Sequence, residues 1–181
     1  MAIRPVRLLG DPVLRSECEP IKKPRSPAVR LVADDLQETL RDLKVRHGFG
    51  GGLAAPQIGA PMRLIYIETA EPVYLINPQI LDIGTDDFLV WDDCFSVPDL
   101  LVRVQRAHHV RIGFQDLLGK HHKMEAEGTM AALLQHEIDH LDGILIVDRP
   151  SGVDAFCLRQ EWNMQHATNG QIGEPYPRTG P

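Results

Sequence analysis

Apolar residues along the chain follow two rhythms, and the change between them divides it. Val29, Val32, Leu36, Leu40 and Leu43 recur at spacings of three and four, the period of a helix that buries one face. Ser26 can cap the first free amides, Pro27 suits the first helical position and Gly48 follows the last turn, so the pattern predicts an amphipathic helix over 27–47. Upstream, residues 5–24 contain Gly10-Asp11-Pro12, Pro20 and Pro24 and no period, which reads as an extended arm. Residues 49–61 read as a glycine-rich loop. Short runs rich in β-branched and aromatic residues then follow at 62–68, 73–77, 80–83, 88–91, 102–106, 110–114 and 121–126, with a turn at 116–119. Strands spaced this closely pair antiparallel, because parallel neighbours need crossovers of a dozen residues or more. A second helix is predicted over 130–141, stopped by Gly143, and a third from about residue 154 to 166. The fold class is therefore α+β: antiparallel sheets around a central helix that carries His136-Glu137-x-x-His140, with an N-terminal and a C-terminal helix.

Length and composition narrow this picture. With 181 residues, 43% of them hydrophobic, the chain suits one domain with a substantial core, assigned to 1–166. The remainder, 167–181, is rich in Gly and Pro without apolar period and reads as a loosely ordered tail. Nineteen basic residues against 25 acidic give a net charge of -6, which lacks the broad positive field that nucleic acid or an anionic membrane would use. No stretch of 18 consecutive apolar residues occurs, so no membrane span is expected. Cys18, Cys94 and Cys157 are odd in number and far apart, which argues against a disulfide framework and points to a reducing, cytoplasmic setting.

Candidate chemistry concentrates in the second helix. Residues four apart lie on one helical face, so His136 and His140 can meet at one point with Glu137 beside them, the pattern of a divalent metal held by two imidazoles near a carboxylate. A third protein ligand is needed. His108-His109 and His121-His122 are neighbours on strands and point to opposite faces, so neither pair chelates as a unit. The position that supplies a third His in metzincins is Ile146. Glu161 remains open as a downstream ligand, but Cys94, at the end of a strand and the start of a turn, is the better candidate.

Three separated segments then carry a resemblance. Gly50-x-Gly52-Leu53-Ala54-Ala55-x-Gln57, Cys94-x-Ser96-x-Pro98 and Gln135-His136-Glu137-x-Asp139-His140-Leu141-x-Gly143 occur in that order, with Gly10-Asp11-Pro12-Val13-Leu14-Arg15 before them and Asp148-Arg149 after. Together they resemble the signature motifs of the peptide deformylases. The resemblance implies a metal held by Cys94, His136 and His140, natively Fe(II), with Zn, Ni or Co able to replace it. One thiolate and two imidazoles suit such a metal and leave a position open, where bound water falls to a pKa of roughly 7. It also implies removal of the N-formyl group from the starting methionine of new polypeptides, with formate released. Glu137 would handle the proton; the Gln57 side chain and the Phe95 backbone N–H would meet charge on the formyl oxygen; Gly50, Gly52 and Asp93 would lie along the substrate. Partners would be formylated nascent peptides, hence the ribosome in passing, with the enzyme as monomer or homodimer. Asp139 is expected to pair with Arg106, and Gln135 to support the helix.

Three positions depart from the family pattern: Asp92-Asp93 stand where Glu-Gly is usual, Phe95 where Leu is, and Gly51 where Val or Ile is. A carboxylate at Asp93 could crowd the pocket or repel an acidic ligand, and Gly51 removes an apolar wall. These keep two further readings open: an amidohydrolase for another N-acylated substrate, and an inactive metal-binding paralogue.

Overall fold

A computed structural model describes residues 2–68 and 72–166; the tail assigned to 167–181 lies outside the described residues. The elements run α1 (Pro27–His47), β1 (Gly52–Ala54), β2 (Leu64–Ile67), β3 (Val73–Ile83), β4 (Asp87–Cys94), β5 (Val97–Ala107), β6 (His109–Gln115), β7 (His121–Glu127), α2 (Gly128–Leu141), β8 (Phe156–Leu158) and α3 (Arg159–His166). All strand pairs are antiparallel, in one sheet ordered β1-β2-β3-β6-β7 and another ordered β4-β5-β8.

Helix α2 lies between the two sheets. Ala131, Leu134, Ile138 and Leu141 pack against Ile65, Leu75, Val110 and Ile112 of the larger sheet, while Ala132 packs against Val90, Val97, Val102 and Val104 of the smaller one. Every residue from Leu134 to Leu141 is buried, as expected of a helix enclosed on all sides. Helix α1 packs Leu36, Leu40 and Leu43 on Leu53, Leu64, Tyr66 and Ile76. It begins at the Ser26 cap and ends at Gly48, whose φ of 79° only glycine adopts cheaply.

The sequence reading needs correcting in four places. The predicted break between 77 and 80 is a bulge inside one strand, β3, where register shifts between Ile76 and Gln79. Pro78 is tolerated because a bulge leaves its missing N–H out of the ladder. Asn77 takes φ 51° and clamps the arm, accepting from the Ile21 N–H at 2.7 Å and donating to the Ile21 carbonyl at 2.9 Å. The loop over 49–61 contains edge strand β1 and a 3-10 turn, Ala55–Ile58. The arm contains a 3-10 turn at Pro12–Arg15, capped by Asp11. Finally, the last helix starts at Arg159, because Phe156–Leu158 first pair with Leu100–Val102 of β5.

Candidate metal centre

Strand β4 delivers Cys94 to the buried face of α2, where His136 and His140 lie one turn apart. Cys94 Sγ is 3.2 Å from His140 Nε2, which is 3.2 Å from His136 Nε2. The three donor atoms lie within 4.8 Å of one another, and these three residues are the group of metal-ligating type found among the described residues. A tetrahedral ion bound to nitrogen at about 2.0–2.1 Å and sulfur at about 2.3 Å separates its donors by about 3.3–3.6 Å, so the side chains are already spaced for a cation.

Protonation fits as well. Burial opposes charge on Asp92, but His136 and Arg106 outweigh it and hold this carboxyl down at about 2. Asp92 is therefore an acceptor only, and with both its oxygens 3.0 Å from His136 Nδ1 that nitrogen donates to it and Nε2 is the one that faces the site. Burial pulls the His136 pKa down, but without a cation Asp92 overrides this and lifts it well above the usual value, so a metal ion would bind Nε2 by displacing its proton. Burial and the neighbouring His136 hold His140 far below it, in the neutral form that ligates.

The support around α2 is ionic and buried. Arg106, 3% exposed, donates to Asp92 at 3.0 Å and to Asp139 at 2.6 Å. Arg149 adds a two-pronged contact to Asp139, both bonds 2.7 Å. Two guanidinium groups against two carboxylates leave no uncompensated charge in the cluster. Gln135 clamps the end of β5 by accepting from the Ala107 N–H at 3.1 Å and donating to the Ala107 carbonyl at 2.9 Å.

Gln57 lies against the same centre. Its Oε1 accepts from the Ala54 N–H at 2.9 Å, which fixes the amide so that Nε2 faces Cys94 Sγ at 3.6 Å and Ser96 Oγ at 3.2 Å. Glu137 is buried, and its Oε2 has no hydrogen-bond partner among the described residues. Burial pushes its carboxyl up to about 7. A Cβ on Gly52 would lie 2.7 Å from Glu137 Oε1, so only glycine leaves this carboxylate room. Gly50, at φ +118°, meets the Phe95 ring, where a Cβ would come within 2.6 Å.

Gly50–Gly52, Asp92–Phe95 and His136-Glu137 line a cavity of about 120 Å³. Asp93, at its rim, is held by Arg159 of α3 at 2.9 Å. Cys94, His136, His140, Glu137, Gln57, Gly50, Gly52, Asp93 and Phe95 thus converge, whereas Glu161 is exposed on α3. His108 is exposed, His109 is 3.9 Å from Glu125 and His122 is 2.8 Å from Asp116, all away from the centre. The sequence reading missed Asp92 as the partner of His136, although a spacing of two along a strand links it to Cys94. It also missed Arg149 on Asp139 and Arg159 on Asp93, for which no local pattern gives a signal.

Comparison with known proteins agrees with this geometry. The family model described as polypeptide deformylase matches residues 3–155. A peptide deformylase of Mesorhizobium japonicum is 41% identical over 157 residues, covering 83% of this chain and 86% of its own. One of Dictyoglomus thermophilum is 39% identical, covering 81% and 92%. The crystal structure of peptide deformylase from Thermotoga maritima superposes with a TM-score of 0.77 at 34% identity, over 84% of this chain and all (100%) of that one. A class I type b enzyme from Acinetobacter baumannii solved with Met-Ala-Ser bound gives 0.75 at 29% identity, covering 82% and 98%. A cysteine and two histidines brought together from a strand end and a buried helix, on a chain matched over most of its length, make this protein a member of the polypeptide deformylase family.

Proposed function

We propose that this chain removes the formyl group from the N-terminal methionine of newly made polypeptides and releases formate. Residues 1–166 act as one metallohydrolase unit in the cytoplasm, with formylated nascent chains as substrate and the ribosome as a passing contact. The observation that carries the reading is the convergence of Cys94 Sγ, His136 Nε2 and His140 Nε2 beside a buried carboxylate, Glu137, that has an unpartnered oxygen. Met-Ala-Ser in the Acinetobacter relative is a methionyl peptide of the kind deformylation would leave.

Cys94, His136 and His140 would hold one divalent cation, Fe(II) by preference for a mixed thiolate and imidazole set, with Zn, Ni or Co as alternatives. When bound, it supplies Lewis acidity that eases deprotonation of water and polarises the formyl carbonyl. The rest falls to the chain's own groups. Glu137 takes the proton from the attacking water and passes it to the departing amine, a role suited to a carboxyl whose pKa lies near the working pH. Gln57 Nε2 and the Phe95 backbone N–H donate to the formyl oxygen as negative charge builds there. Gly50 and Gly52 let an extended peptide approach edge strand β1, while Asp93 forms part of the methionine pocket's rim.

Formate release from formyl-Met-Ala-Ser by anaerobically prepared, metal-loaded protein tests the reading. Glu137→Gln should lower kcat by about 10²–10⁴ while metal content stays the same. Equal rates in the two proteins, or hydrolysis of acetyl-Met-Ala-Ser at the same rate as the formyl peptide, would contradict it.

A further inference from the structure

Beyond Phe49 and Phe95 lies a second cleft, about 450 Å³, that shares Phe49, Cys94 and Phe95 with the smaller cavity at the metal centre. The two rings stack at 5.1 Å and 8° and stand where the two spaces meet. Arg159 closes this wall from above: its guanidinium lies 4.4 Å over the Phe49 ring and donates to Asp93 at 2.9 Å. The charge around the second cleft runs against that of the whole molecule. On a chain of net charge -6, its lining includes Arg4, Arg46 and Arg159 with Asp99 as the single carboxylate among the lining residues. The partners of these cations, Asp35, Asp42 and Asp93, do not line it.

If the formylmethionine side chain fills the 120 Å³ cavity, the following residues advance about 3.3–3.6 Å each, and the second cleft, which shares Phe49, Cys94 and Phe95 with that cavity, lies within their reach. We propose that the 450 Å³ cleft receives the second and third residues of the substrate, and that Arg159, helped by Arg46 and Arg4, makes the enzyme favour acidic side chains at those positions. The inference rests on the deformylase reading. Arg159 acts here as a specificity-determining residue: Asp93 uses one edge of its fork and Phe49 its face, while its position in the cleft lining leaves it in reach of a substrate carboxylate. The ion pair also changes the meaning of Asp93, whose charge is taken up by Arg159 and not presented to the ligand.

The test compares kcat/KM for formyl-Met-Ala-Ser, formyl-Met-Glu-Glu and formyl-Met-Lys-Lys on metal-loaded wild type, Arg159→Gln and Arg159→Lys. Wild type should prefer the Glu peptide to the Lys peptide by about fivefold at low salt, the scale of a few partly exposed charge pairs. The preference should shrink in Arg159→Gln and in 0.5 M salt and return in Arg159→Lys, while the Ala-Ser peptide reports whether each variant is folded and active. A ratio of one, a preference for Lys, or a ratio unmoved by Arg159→Gln overturns the inference and leaves the deformylase reading standing. No turnover of any of the three peptides by wild type would sink both.

Discussion

Asp92 decides what His136 can do. A buried imidazole beside a thiol and another imidazole could turn either nitrogen to the site, but a carboxylate 3.0 Å from Nδ1 accepts a hydrogen bond and offers none, so Nδ1 keeps its proton and Nε2 is left for the cation. The residue differs from the Glu usual in the family by one methylene, and β4 brings it close enough to keep the contact. Asp92→Asn should weaken metal binding by about 10–100-fold with the fold retained, because Arg106 keeps Asp139 as a partner. Competition against a chelator of known affinity, alongside circular dichroism, checks this; unchanged affinity would mean that Asp92 does not orient the ligand. At this scale the sequence was most legible where chemistry is local. His136, Glu137 and His140 announce themselves by spacing alone, whereas the Asp92–His136 contact joins residues 44 apart and the Asp93–Arg159 contact residues 66 apart. No short-range period encodes such separations.

Between elements, the arm before α1 braces the site from outside. The Arg7 N–H donates to the Gln57 carbonyl at 2.7 Å and the Leu9 N–H to the Ser96 carbonyl at 2.8 Å, bracing the two segments that flank Cys94. The arm is in turn tied to α1 through Asp35, whose carboxylate accepts from the Ala2 N–H and from Arg4 Nε, both at 2.7 Å. Burial works against this charge, but those donors outweigh it and lower the Asp35 pKa. A folded pKa below the unfolded one gives stability that is present above the usual carboxylate range and lost as pH falls through the folded value. Wild type should therefore exceed Asp35→Asn by about 1–2 kcal/mol at pH 7, and the gap should close in acid. Paired denaturant melts from pH 7 downward would show it; a gap independent of pH contradicts the assignment. Helix α1 was readable to the residue at both ends because Ser26-Pro27 and Gly48 mark them. The arm's path was not, since it is set by single hydrogen bonds to distant carbonyls.

In the whole molecule, one helix enclosed by two sheets keeps a polar ligand set buried beside a small cavity. Leu134, Ile138 and Leu141 anchor α2 to the larger sheet, and the Arg106–Asp139–Arg149 cluster holds its outer side. The α+β class followed from strand lengths and the two helical periods. The division of the strands into two sheets did not, because hairpin spacing gives neighbours within a sheet but not how sheets stack. The strand at Phe156–Leu158 was hidden for the same reason: three residues pair with β5 across more than 50 positions of chain.

The central claim is that one sulfur and two ring nitrogens bind the same cation. X-ray absorption at the metal edge of the anaerobically loaded protein measures this directly. The predicted result is one sulfur at about 2.3 Å with two imidazole nitrogens at about 2.0–2.1 Å, the sulfur disappearing in Cys94→Ser. A first coordination shell of nitrogen and oxygen alone in the wild type would contradict it.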